Sequence, residues 1–179
     1  MTVQTYIILL RGVMPSGKNK VPMAQLRQVL TDAGFHHVRT YIASGNVLLN
    51  TDLPVSAIAG KVRQLIKEKI GSDLPVIVKT RRELQSLLDC SSFQNVHDQT
   101  RLFFVFFAGT PNADVADELE LQNFGSEKLA LFTDGAILYI PGTYGKGKLS
   151  SNYLEKQLGI AATMRNLNTL TKLIELSND

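Results

Sequence analysis

Residues 5–10 form an almost unbroken apolar run of β-forming side chains, the pattern of a strand covered on both faces. A glycine-bearing polar loop follows and leads to Pro22, a residue suited to a first helical turn. Leu26, Val29, Leu30 and Ala33 then recur at helical spacing, and Gly34 stops that helix. Residues 38–43 and 47–50 predict two strands around the turn Ser44-Gly45-Asn46, in which Gly45 or Asn46 would supply the positive φ. Val55, Ile58, Ala59, Val62, Leu65, Ile66 and Ile70 trace a longer amphipathic helix ending at Gly71, and residues 74–80 read as a fourth strand. The order β-α-β-β-α-β predicts a ferredoxin-like sheet with two helices on one face.

The pattern then restarts. Residues 81–89 continue as a short helix and residues 90–100 are polar and aperiodic, so residues 81–100 read as a short helix and linker. Residues 102–107 predict a strand, 112–121 an acidic helix, and 128–132 with 136–140 a hairpin across Asp134-Gly135. Two helices, residues 149–158 and 164–176, close the chain without a further strand. The expected fold class is therefore α+β: a ferredoxin-like βαββαβ half over residues 1–80, then a related βαββ half with two C-terminal helices over residues 101–179.

Composition narrows the class without naming a function. With 179 residues, 44% hydrophobic and 20% charged, the chain can bury a proper core, and no run is apolar enough to suggest a membrane span. The start of the chain reads as a strand rather than a signal peptide, so a cytoplasmic location is expected. A single cysteine, Cys90, excludes an internal disulfide, and His36, His37 and His97 lack zinc-ligand spacing. No metal and no cofactor is expected. The net charge of +3 hides an uneven distribution. Residues 1–50 carry five bases against one acid, whereas residues 101–140 carry two bases against six acids. Base again exceeds acid after residue 141.

Three segments offer chemistry. Residues 12–18 have the glycine-four-glycine-lysine spacing of a phosphate loop. Asn19 stands where the motif needs a hydroxyl, Pro15 removes an amide donor, and the expected sheet is antiparallel. Those departures argue for a looser anion site built from Arg11, Gly12, Gly17, Lys18, Asn19 and Lys20. In the turn that holds Ser44 and Asn46, both counted as candidate ligand residues, Ser44 and Tyr41 could serve as hydroxyl donors, but no His or acid lies near in sequence to activate Ser44 as a nucleophile. The third segment, Tyr144-Gly145-Lys146-Gly147-Lys148, enters a helix capped by Ser150 or Ser151 and adds Lys146, Lys148 and Asn152. Arg165 and Asn166, at the start of the final helix, add a guanidinium able to hold phosphate or carboxylate in bidentate fashion. An RNA recognition motif is disfavoured, because residues 47–49 carry no aromatic side chain for base stacking.

Taken together, residues 9–27, residues 34–49 and residues 144–159 with the Arg165-Asn166 segment resemble the domain-of-unknown-function 1697 family, small bacterial proteins of α+β structure. This chain has Met14-Pro15-Ser16-Gly17 where that family commonly has Asn-Val-Gly-Gly, and Leu167 where it often has tryptophan. The resemblance implies that the segments chosen on physical grounds are family signatures, and it transfers no catalytic residue. The leading expectation is a binding protein for a phosphate-bearing anion, nucleotide or nucleic acid, held by basic loops that converge into one site. An enzyme acting on a small phosphorylated or carboxylated substrate is one alternative, with Arg11 and Lys18 orienting it. A dimerising interaction module is the other. A monomer or homodimer without membrane contact is expected.

Overall fold

The computed structural model describes residues 2–93 and 95–178, and for Ser91 the backbone alone. The contacts divide the chain into two compact units, Met1–Arg81 together with Leu173–Asp179, and Arg82–Lys172.

In the first unit β1 (Gln4–Leu10) is followed by α1 (Met23–Asp32), β2 (His36–Tyr41), β3 (Asn46–Thr51), α2 (Val55–Lys69) and β4 (Val76–Lys79). The sheet order is β2-β3-β1-β4, antiparallel throughout. Register explains which side chains meet. Tyr6 lies opposite Leu49, Ile8 opposite Val47 and Val78, and Leu10 opposite Val76. These residues share one face and pack on Leu26 and Leu30 of α1 and on Ile58, Val62 and Ile66 of α2. Each such fully buried aliphatic side chain contributes roughly 1.5–3 kcal/mol of transfer free energy. Ile7, Leu9, Leu48 and Ile77, on the other face, are equally buried. That is why the first strand reads as continuously apolar instead of alternating.

The second unit opens with most of α3 (Arg81–Leu88), then β5 (Leu102–Phe107), α4 (Ala113–Glu120), β6 (Lys128–Phe132), β7 (Gly135–Tyr139), α5 (Ser151–Leu158), β8 (Ala162–Asn166) and the first part of α6 (Leu167–Leu176). Its sheet order, β6-β7-β5-β8, repeats that of the first. Val105, Phe107, Ala136, Leu138 and Ala162 form the inner face against Leu119, Leu154 and Leu158. The α+β class and the ferredoxin-like first half are as expected. Both closing helices are present as well, with one strand more than the periodicity predicted. Residues 162–166 are extended and pair with β5, so the second repeat is a complete βαββαβ and the last helix starts at Leu167.

Two local features also differ from expectation. In the β2–β3 turn Gly45 (φ 84) takes the left-handed backbone, as anticipated, but its partner is Ile42 (φ 49), while Asn46 begins β3. Glycine is required at position 45 on a second count, because a Cβ there would meet Leu10 Cβ at 2.7 Å and Val13 Cγ2 at 2.8 Å. His36 and His37 are both exposed, and His37 (φ 49) sits where the β2–β3 register shifts.

Candidate functional site

The loop after β1 is closed by its own backbone hydrogen bonds. Met14 donates its N–H to Asn19 O at 3.0 Å, and Lys20 donates to Gly17 O at 3.2 Å. Gly12 (φ 79) and Gly17 (φ 80) bend the chain on either side of the Met14-Pro15-Ser16 tip. The Ser72 hydroxyl, buried after α2, lies 2.7 Å from Lys20 O and 3.1 Å from Lys18 O, and so anchors the backbone that carries both lysines. Their side chains are thereby left on the exposed side.

The consequence is an open cleft of about 350 Å³ lined by Gly17, Lys18, Lys20, Pro22, Gln25, Ile70, Gly71 and Ser72. Helix α1 begins beside it at Pro22, without a side-chain cap and without an acidic residue in its first turn. An uncapped helix start leaves amide donors and a partial positive charge at the cleft. Gln25 closes the opposite wall by donating Nε2 to Lys69 O at 3.1 Å, which ties α1 to the end of α2. Among the described residues, none in the lining carries a carboxylate. The carboxylate next in sequence, Asp73, is bonded by Arg63 Nε at 2.7 Å and Lys67 Nζ at 3.0 Å. Those two hydrogen bonds, Arg63 first, hold the Asp73 carboxyl below its ordinary 3.8.

The other candidates of the first unit have different surroundings. Arg11 is half-buried where β1 ends, its N–H donating to Pro75 O at 3.0 Å. Next to it, Leu10 donates to Gly45 O at 2.8 Å, so the fold brings the arginine-glycine segment and the Ser44–Asn46 turn together. Asn46 is fully buried and serves the turn itself, its Nδ2 donating to Tyr41 O and to Ser44 Oγ, each at 3.0 Å. Neither Ser44 nor Asn46 lines the cleft.

In the second unit the basic loop is occupied by the chain itself. Glu127 Oε2 accepts the N–H groups of Lys148 at 3.0 Å and Leu149 at 2.9 Å. The Lys148 ammonium donates to Gln122 Oε1 at 3.1 Å and lies over the rings of Phe124 (5.3 Å) and Tyr153 (5.1 Å). Tyr153 donates its hydroxyl to the same Gln122 oxygen at 2.9 Å. Lys146 and Asn152 are exposed. Ser150 Oγ caps α5 by accepting Tyr153 N–H at 3.1 Å, as one of the two predicted serines. Asn166 is likewise a capping residue, its Oδ1 accepting Thr169 N–H at 2.9 Å. Arg165 belongs to β8 and is 8% exposed, with Nη1 donating to Thr163 Oγ1 at 2.7 Å and Met164 O at 2.8 Å. Burial lowers its guanidinium to about 10.

Sequence reasoning did not single out Ser72 or Gln25 and read Gly71 only as a helix stop, although all three build the cleft wall; nor did it single out Glu127, Gln122 and Phe124, which fill the second loop. Helical periodicity fixes faces, but it does not say which loop a helix end meets fifty residues away. The Gly71-Ser72 pair after an amphipathic helix was the one local signal available for the first group. Among the described residues no group of three or more His, Cys, Asp and Glu could hold a metal, and no helix is long and apolar enough to cross a membrane.

Fold and sites together describe an α+β protein made of two ferredoxin-like units, the first carrying a basic cleft. The chain belongs to the family described as Protein of unknown function (DUF1697), whose pattern matches residues 3–137. In structure it is similar to the conserved bacterial protein SP0830 from Streptococcus pneumoniae, with 23% identity, a TM-score of 0.73, and coverage of 99% of this chain and 100% of that one. That likeness speaks for the fold alone. No curated protein matches the sequence.

Proposed function

We propose that the protein binds a phosphate-bearing anionic ligand through the basic loop that follows β1. The observation that carries this reading is the open cleft in which Lys18 and Lys20 meet the uncapped start of α1, with no carboxylate among the described lining residues. Two ammonium groups beside a helix start are the kind of donor set that a phosphate group uses. A volume of about 350 Å³ falls within the range of small-molecule sites, which favours a nucleotide over a nucleic acid as occupant. In this reading the protein is a cytoplasmic bacterial binding protein, monomeric or homodimeric.

The test is a thermal-unfolding and calorimetric screen of nucleotides, inorganic pyrophosphate and short single- and double-stranded oligonucleotides, at low and moderate salt. A ligand at 100 times its Kd adds about 2.7 kcal/mol of stability. The double variant Lys18→Ala/Lys20→Ala, altered only at exposed side chains, should fold normally and lose that response. A screen with no response from any phosphate-bearing compound would sink the reading.

A further inference from the structure

We propose that the second basic loop is an oxyanion site with a built-in occupant, the carboxylate of Glu127, which a phosphate group must displace to bind there. This rests on the reading of the protein as a phosphate binder and adds how one of its basic loops is held closed.

Two successive N–H groups, those of Lys148 and Leu149, converge on a single oxygen, Glu127 Oε2, at 3.0 and 2.9 Å. Neighbouring amides aimed at one oxygen form a small anion-binding concavity, and hydrogen bonds to an ionised acceptor are the stronger kind. The carboxylate also occupies the space beside Gly147 so closely that a Cβ at that position would coincide with it. Gly147 is therefore the residue that admits an oxyanion to this loop. Lys148 does not contribute its ammonium to the carboxylate's two amide bonds. It is directed to Gln122 and over the Phe124 and Tyr153 rings, while Lys146, two residues earlier, is exposed. The loop thus has the donors of a phosphate site and, seated in them, an acceptor from the α4–β6 connection.

An internal occupant lowers the apparent affinity of an external one by the fraction of molecules in which the site is open. Removing the occupant should reveal the site. In amide NMR spectra of the full chain titrated with inorganic pyrophosphate, Lys148 and Leu149 should stay still in the wild type. They should move saturably in Glu127→Ala, with affinity raised at least about tenfold. Glu127→Gln keeps an acceptor oxygen and should stay closer to the wild type. Glu127→Ser, too short to reach both amides, is a second opening variant should the alanine fold poorly; Gly147→Ala added to either puts a methyl group in the oxyanion's place and should abolish the response. The proposal is overturned if neither opening variant binds better than the wild type, or if the wild-type amides at 148 and 149 respond equally. Lys18 and Lys20 amides in the same spectra report the first cleft independently. In the opening variants, silence there with a response at 148 and 149 would overturn the cleft reading and leave this one standing; the reverse pattern in those variants would do the opposite.

Discussion

At Ile42 a β-branched side chain, 51% exposed, is held at φ 49, a left-handed backbone that favours glycine or asparagine. The conformation is set by the tight β2–β3 turn, which must bring Gly45 against Leu10. Little packing offsets the strain, so Ile42→Asn should stabilise the protein by about 1 kcal/mol in urea unfolding. No gain would mean that the isoleucine side chain is held by more than its exposure indicates. Arg165 presents the opposite situation, a charge taken almost wholly out of water and bonded to its own strand. Replacing it with alanine removes bonds made by a charged donor and should cost about 2–4 kcal/mol, while leaving the pyrophosphate response at Lys18 intact. Its lowered pKa sets the sign of any pH effect. Below about 10 the guanidinium is charged in both the folded and the unfolded chain and contributes no pH dependence. Between there and the unfolded value the unfolded chain binds more protons, so stability rises with pH over that window.

At the scale of elements, Asp73 joins the last turns of α2 to the segment that forms the cleft wall, through Arg63 and Lys67. Its carboxyl should titrate below 3.8 by NMR and return toward that value in Arg63→Ala, since the Arg63 hydrogen bond is the largest cause. The folded-state pKa is depressed, so the stabilisation is present above the unfolded value and fades as pH falls through the folded one. The pair is exposed, and salt should weaken it. The elements also show what periodicity could deliver. In α1 and α2 the buried positions Leu26, Leu30, Ile58, Val62 and Ile66 are among those that the spacing marks, because each helix turns one face to the sheet. Strand β8 escaped for a physical reason. Met164, Leu167, Leu170 and Ile174 continue at helical spacing through it, and Ala-Thr-Met-Arg-Asn has little β-branched content. Pairing with β5, a long-range interaction, overrides that local pattern, and Asn166 caps α6 directly after the strand. The cleft was legible in the same partial way: the loop and its lysines stand out in sequence, whereas Ser72 and Gln25 become visible only through the fold.

For the whole molecule the relevant quantity is how many phosphates the surface can engage at once. The excess base of residues 1–50 does not act as a uniform field, since Arg11 is half-buried and Arg27 donates Nη1 to Thr40 Oγ1 at 2.6 Å. Arg39 donates Nη2 to Leu176 O at 2.8 Å, within the first unit. Lys18 and Lys20 are the two bases that line the cleft. Counterion release then gives a quantitative distinction between the ligand classes. A duplex held by those two lysines alone would show a slope of log K against log salt of about −1.8, and a single strand about −1.4. A nucleotide should bind with one-to-one stoichiometry and with an affinity that exceeds that of either oligonucleotide at moderate salt, because its phosphates enter the cleft while an extended backbone touches it at one edge. Titrations at several salt concentrations decide the matter. A duplex slope of about −5 or steeper would require several further phosphate contacts beyond Lys18 and Lys20, and would make nucleic acid, rather than nucleotide, the ligand class of this protein.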